Sequence, residues 1–218
     1  MGTNPYQVVR DFEAAVCEYT GAPHCVAVNS CTSALFLALQ RRFDCDGCTQ
    51  VTIPCRTYVS VPMQVIHAGG TVKFEDLVWS GAYRLKPLGL WDSARRFRRD
   101  MYSTAINWDY EGIGPSPIYH REMVCVSFQA AKILGDTQGG AILLSDAEDA
   151  AWLRRARFDG RTEGVDPKDD KFTMLGWHMY MSPDVAARLL LKLRTLPDYI
   201  GDLPNDDYPD LSKMEIFK

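Results

Sequence analysis

No stretch of the 218-residue chain is apolar over the roughly 20 residues that a helix needs to cross a bilayer. The polar start, Met1–Pro5, lacks the basic-then-apolar pattern of a secretory leader. These absences set the expectation of a cytoplasmic protein with no membrane partner. Excess positive charge is missing as well. The formal net charge is -4, which gives no general electrostatic reason to expect nucleic acid as a partner. Histidine is scarce, and no second Cys-x-x-Cys or His pair accompanies Cys45-Asp-Gly-Cys48, so no metal is expected there. The seven cysteines (17, 25, 31, 45, 48, 55 and 125) are odd in number and scattered through apolar segments. That pattern suits reduced thiols better than a disulfide framework. Repeats and low-complexity blocks are absent.

What is present is an alternation of helix and strand, which predicts an α/β fold. Asn4-Pro5 opens a first helix, with Asn4 as N-cap and Gln7 able to close a capping box. Val8, Phe12, Ala15, Val16 and Tyr19 fall at helical spacing, and Gly21 stops the run. Cys25–Val28 reads as a buried strand that turns through Asn29–Ser33 into Ala34–Leu39, apolar on every face and hence buried on both sides. Val51–Pro54 and Thr71–Phe74 are further strands, with a helical run between them ending at Gly69-Gly70. Glu75–Pro87 reads as an irregular link, and Leu88–Trp91 as a strand ending in Asp92. Tyr102–Trp108 is compatible with an added strand or hairpin. Val124–Phe128 and Ala141–Leu144 are strands around a compact loop, Ser145-Asp-Ala-Glu148 caps a helix through Arg157, and Ser182-Pro183-Asp184 starts another. The expected division is a single domain over residues 1–196 and an irregular acidic tail over 197–218.

Four features along this frame carry chemistry. Lys132 sits in the loop between two buried strands. A partly desolvated amine there could form a Schiff base with an aldehyde cofactor, and a solvated turn lysine fits the local sequence too. Ser30-Cys-Thr-Ser33 stands between strand and helix, where hydroxyls and helix N-terminal N–H groups suit a phosphate, or where Ser30 or Thr32 serves only as an N-cap. Asp92 ends a buried strand, the place where parallel sheets put ligand contacts, although a helix cap is equally compatible. Tyr58, just past another strand, could stack on a ring or simply pack.

Taken together and in order, these pieces resemble the DegT–DnrJ–StrS family of sugar aminotransferases, pyridoxal-phosphate (PLP) enzymes of fold type I. Asn29-Ser-Cys-Thr-Ser-Ala-Leu35 is similar to the family's phosphate-binding turn, and Pro54-Cys-Arg-Thr-Tyr58 to the segment with the stacking aromatic residue. Trp91-Asp-Ser-Ala94 resembles its Glu-Asp-Ala-Ala motif. Ser127-Phe-Gln-Ala-Ala-Lys132 with Gly139-Gly140 resembles its Ser-Phe-x-x-x-Lys and Gly-Gly signature, and Gly176–Ser182 its Gly-Tyr-Asn-Tyr-Arg-Met-Ser segment. The resemblance runs from about Asn4 to about Leu196. It implies a three-layer α/β/α domain with a mostly parallel sheet, a reduced fold type I large domain. It implies PLP held as a Schiff base on Lys132, with Asp92 on the pyridine nitrogen and Tyr58 on the ring face. Ser30, Cys31, Thr32 and Ser127 would hold the phosphate. His178 stands where relatives carry an asparagine that reaches the phosphate from a neighbouring subunit, so a homodimer is implied.

The departures bear on the substrate. Arg95 stands where the family usually has Gln or His, and Tyr180 where it has Arg; these two are the candidate substrate residues. Between Phe74 and Leu88 the chain lacks a strand–helix unit that relatives carry, and it stops where their smaller C-terminal domain begins, as expected of a trimmed member. The implied reaction moves an amino group from glutamate or glutamine to a keto sugar, one linked to a nucleotide. A PLP enzyme of another reaction type, such as a dehydratase or nucleotide-modifying enzyme, and a non-catalytic scaffold remain the alternatives. Arg95, Arg96, Arg98 and Arg99 could meet a carboxylate or diphosphate, or form a solvated basic face.

Overall fold

The computed structural model describes residues 4–105, 121–204 and 207–217. Seven strands form its centre: β1 (His24–Val28), β2 (Gln50–Pro54), β3 (Thr71–Glu75), β4 (Tyr83–Leu85), β5 (Leu90–Asp92), β6 (Met123–Ser127) and β7 (Gly140–Leu144). Five of them pair in the order β1-β7-β6-β5-β4, and β2 and β3 form a parallel pair. The two sheets are joined where the backbones of Thr52 and Lys86 exchange hydrogen bonds of 2.7 and 3.0 Å.

Strand direction follows from connection length. β4 and β5 are separated by only four residues, so β4 returns antiparallel. β7 likewise folds back on β6 after a loop without a helix. The other five strands run the same way, as the parallel β5–β6 and β2–β3 ladders and the antiparallel contacts of β4 and β7 require. The expected mostly parallel arrangement therefore holds in strand direction, while the two reversed strands make the sheet mixed.

Helices cover the two faces. One layer holds α2 (Cys31–Asp46), α3 (Ser60–His67) and α5 (Ala147–Ala156), packed on Val26, Val28, Leu90, Cys125 and Ile142. The other holds α1 (Gln7–Thr20) and α6 (Pro183–Leu193), packed on Cys25, Ala27, Val124, Val126, Ala141 and Leu143. Consecutive strand residues thus feed opposite cores, and strands β6 and β7 are buried at every position. Ala34–Leu39 of α2 is buried throughout, as its uniformly apolar composition requires. Together these form the three-layer α/β/α sandwich.

Local expectations were revised in three places. The first helix starts at Gln7 and not at Pro5; Asn4 instead closes a turn onto the Tyr6 N–H (3.0 Å), and the Gln7 amide donates to Asp11. The link after Phe74 is not wholly irregular, because Tyr83–Leu85 pairs with β5. The four-residue connection leaves no room for the alternation that would mark a strand. The expected hairpin over Tyr102–Trp108 lies partly outside the described residues, and its described part belongs to a short helix, α4 (Met101–Ala105).

Among its described residues the acidic tail is irregular apart from two 3-10 turns, Leu211–Lys213 and Glu215–Phe217, yet it is packed along the body. The Tyr19 hydroxyl donates to the Pro197 carbonyl at 2.6 Å, Leu203 N–H to Arg95 O at 2.9 Å, and Leu211 N–H to Cys55 O at 2.9 Å. The Leu211 side chain is fully buried. No helix among the described residues is long and apolar enough to cross a membrane.

Candidate active site

The C-terminal ends of β1, β5 and β6 reach the same edge of the sheet, and there Val28 leads into the turn before α2, Asp92 ends β5, and Ser127 ends β6. A cleft of about 640 Å³ opens at this edge. Its lining includes Ser30, Cys31, Thr32, Tyr58, Asp92, Arg95, Ser127 and Lys132. Eight of the ten residues singled out from the sequence thus meet in one cavity.

The turn before α2 is fixed from several directions. Ser30 is extended (φ -163°, ψ 159°), and its Oγ accepts from the Ser33 N–H at 3.1 Å. Ser33 Oγ donates to Asn29 Oδ1 at 2.6 Å, and the Asn29 N–H donates to Met179 O at 2.8 Å. Thr32 Oγ1 reaches Ser60 Oγ at 3.2 Å. The Cys31 and Thr32 N–H groups lie in the first turn of a 16-residue helix, where no intrahelical carbonyl is available and the dipole favours an anion. Gly140 lies against this turn: a Cβ there would stand 2.4 Å from the Cys31 nitrogen and 2.5 Å from the Ser30 carbonyl carbon. The second glycine of the Gly139-Gly140 pair is therefore what lets β7 approach the helix start.

Asp92 is buried, and the local alternative of a helix cap is excluded because no helix follows it. Tyr83 Oη donates to its Oδ2 at 2.8 Å, and the Ala94 N–H to its Oδ1 at 3.0 Å. Thr57 Oγ1 is 2.6 Å from the same tyrosine hydroxyl, which makes a buried Thr57–Tyr83–Asp92 chain. Burial raises the Asp92 pKa above its ordinary 3.8, although the Tyr83 and Ala94 hydrogen bonds and the Lys132 and Arg95 charges pull it down. Burial, reinforced by Asp92, pushes the Tyr83 hydroxyl well above its usual range. Sequence reading missed Tyr83 because it lies in the stretch taken as irregular.

Lys132 is half-buried, and its loop is held at both ends. Phe128 N–H donates to Gly139 O and Asp136 N–H to Phe128 O, at 2.8 and 2.9 Å. Arg188 of α6 donates to Asp136 at 2.8 Å, and Lys192 to Gly135 O at 2.5 Å. Tyr58 lines the cleft and is 57% exposed.

His178 and Tyr180 do not line this cleft. They border a neighbouring cavity of about 250 Å³, which shares only Gln138 and Gly139 with the first. His178 Nδ1 lies 2.9 Å from Asp159, and Tyr180 packs edge-on against Tyr6 and Phe158. Within one chain, then, neither joins the group around Lys132, because the extended segment that carries them pairs with Val28 and Phe158 on the flank. Arg95 does line the cleft, but its guanidinium is engaged by the tail: Nη1 donates to Pro204 O, and Nε and Nη2 approach Tyr208 Oη at 3.3 and 3.1 Å. The basic run is not a bare solvated face either, since Arg96 is bound by Asp202 and Arg99 by Asp198. Cys45 and Cys48 have no ligand cluster around them among the described residues. Leu203, Pro204, Tyr208 and Trp79, which complete the cleft, had no motif to announce them.

Comparison with known proteins finds relatives of this chain among aminotransferases. Residues 1–82 match the DegT/DnrJ/EryC1/StrS aminotransferase family. The chain is 44% identical over 69 residues to the spore coat polysaccharide biosynthesis protein SpsC of Bacillus subtilis, covering 32% of this chain and 18% of that protein. It is 25% identical over 220 aligned positions to the GDP-perosamine synthase of Caulobacter vibrioides, covering 88% of this chain and 57% of the synthase. A DegT DnrJ EryC1 StrS aminotransferase crystal structure from Brucella abortus superposes with a TM-score of 0.60 at 24% identity, over 87% of this chain and 58% of the other. The chain therefore spans less than two thirds of the length of each of these relatives. Residues 1–82, which include the Ser30–Ser33 turn and Pro54–Tyr58, match the DegT/DnrJ/EryC1/StrS aminotransferase family, and the described chain shares the fold of the Brucella abortus aminotransferase.

Proposed function

We propose that the chain is a PLP-dependent aminotransferase that moves an amino group from glutamate or glutamine to a keto sugar, one carried on a nucleotide. The observation that carries this reading is the meeting of Lys132, buried Asp92 and the Ser30–Ser33 turn in one cleft. The residues fit the cofactor. A buried carboxylate raised by desolvation gains a counter-ion when it faces a protonated pyridine nitrogen. The first N–H groups of α2 have no intrahelical acceptor and suit a phosphate.

In this reading Lys132 holds the cofactor covalently, Asp92 pairs with its ring nitrogen, and Tyr58 covers one ring face. Ser30, Thr32, Ser127 and the Cys31 and Thr32 N–H groups hold the phosphate. The cofactor supplies an electron sink for the carbon that loses its proton. Lys132 Nζ, once the donor's amine has displaced it from the cofactor, would be the free amine that takes the proton from the donor Cα, held in place by its anchored loop. Tyr83 and the Ala94 N–H keep Asp92 oriented and favour its charged form. His178 acts on the phosphate of a partner subunit, so the working form is a homodimer. Residues 1–196 form the PLP-binding domain, with the tail laid across it, and the protein acts in the cytoplasm. The names of the polysaccharide protein and the perosamine synthase support a sugar acceptor.

The test is an absorbance titration with PLP, borohydride reduction and peptide mapping. The expected result is a pyridoxyl label on Lys132 alone, and conversion of bound PLP to its amine form by glutamate or glutamine. A label on another lysine, or no binding, would overturn the assignment.

A further inference from the structure

The tail residues 198–204 and 207–211 are acidic, and they lie on the arginines that follow Asp92. Asp202 accepts from Arg96 Nε at 2.6 Å and Nη2 at 2.5 Å, a two-pronged pair with both side chains mostly buried. Asp198 accepts from Arg99 at 2.6 Å. The Arg95 guanidinium lies 5.5 Å from the Tyr208 ring centroid and holds the Tyr208 hydroxyl and the Pro204 carbonyl. Tyr208 also stacks on Trp79 at 6.4 Å, and Leu211 anchors the far end in the core. Between these anchor points Leu203, Pro204 and Tyr208 face the same cleft as Lys132.

We propose that this segment is the built-in outer wall of the substrate half of the cleft. The Arg96–Asp202 pair is its latch, and Tyr208, held by Arg95, is the positioning residue that decides which molecules reach Lys132. The charged pairs hold the wall in place. Bidentate Arg–carboxylate pairs fix geometry as well as supply energy, so the segment is docked at a set position. The arginines consumed in docking are not free to greet an anionic substrate, which must be recognised by the wall itself. The aromatic and apolar character of Trp79, Tyr208, Leu203 and Pro204 favours the face of a ring-shaped substrate over its charges. The ligand part of this inference rests on Lys132 being the reactive residue.

Two variants test it, Asp202→Ala at the latch and Tyr208→Ala in the wall. In the chain without PLP, Cys31, which lines the cleft, is labelled with a bulky maleimide and quantified by peptide mass spectrometry against exposed Cys45. Both variants are expected to label Cys31 at least about fivefold faster, while the buried Cys25 and Cys125 stay protected and report an intact core. In the PLP-loaded chain, capture of the cofactor by a bulky aryl hydrazide is expected to quicken by a similar factor, and capture by hydroxylamine to stay within about twofold. Unchanged Cys31 labelling in Asp202→Ala would overturn the proposal. Should Tyr208→Ala expose Cys25 or Cys125, the latch variant decides alone. If PLP binds no form of the chain, the aminotransferase reading fails, and Cys31 labelling still decides the wall.

Discussion

Replacing Asp92 with Asn separates its proposed pairing with the cofactor from what its burial costs the fold. The carboxylate is buried between two donors, the Tyr83 hydroxyl at 2.8 Å and the Ala94 N–H at 3.0 Å. An amide of the same shape keeps the Ala94 bond. Its NH2 can donate to Tyr83, whose own proton then turns to Thr57 Oγ1, 2.6 Å away. The hydrogen-bond chain is therefore reversible, and only the charge is lost. Without charge the pairing to a protonated ring nitrogen falls by about 1.5–3 kcal/mol, or roughly 10- to 150-fold in PLP affinity. Stability of the cofactor-free chain should move the other way. A carboxylate whose folded pKa lies above 3.8 binds more protons folded than unfolded, so stability falls as pH rises from 3.8 through the folded pKa and then levels off. The amide carries no such penalty. The variant should match the wild type near pH 3.8 and exceed it at neutral pH. Urea unfolding of both forms across this range, with a PLP titration at neutral pH, checks both halves. A variant that is less stable than the wild type, by a margin widening toward neutral pH, would show that the charge is net stabilising and refute the argument. So would PLP affinity within twofold of the wild type.

Two further substitutions probe the frame. Gly140→Ala puts a methyl group 2.4 Å from the Cys31 nitrogen, and overpacking of this kind costs about 1–3 kcal/mol. It should displace the start of α2, lowering PLP affinity and Tm together by calorimetry and titration, with unchanged PLP affinity as the contrary result. Glu13 of α1 is buried, accepts from the Ala27 N–H at 2.9 Å and pairs with buried Arg157. Glu13→Gln removes the carboxylate nearest that buried guanidinium and should cost about 3–5 kcal/mol in urea unfolding. A loss under 1 kcal/mol would mean that Arg157 finds its charge balance elsewhere, for example in Glu163 at 3.5 Å.

The residues that could be read in advance are those whose chemistry is local. Ser30–Ser33 reads as a strand–helix turn because hydroxyls stand between a buried strand and the apolar run Ala34–Leu39, and Asp92 ends a strand whose apolar run stops at it. Tyr83 and the cleft-lining part of the tail had no such signature. A three-residue strand has too few positions to show alternation, and an acidic, proline-bearing segment looks the same docked or solvated. The arginine run was ambiguous for the same reason, since its partners lie about 100 residues away in the chain.

The sequence by itself determined the alternation of elements, the Ser30–Ser33 turn, the position of Lys132 between two buried strands and the glycine pair beside it. Each of these is set by backbone conformation or burial within a few residues. Only the tertiary structure decided that Asp92 belongs to a buried hydrogen-bond chain, that His178 and Tyr180 stand in a separate cavity, and that the tail supplies a wall of the cleft. Those outcomes depend on which distant groups meet once the sheet has closed, and on the cost of leaving a buried charge without a partner. No window of local sequence contains either quantity.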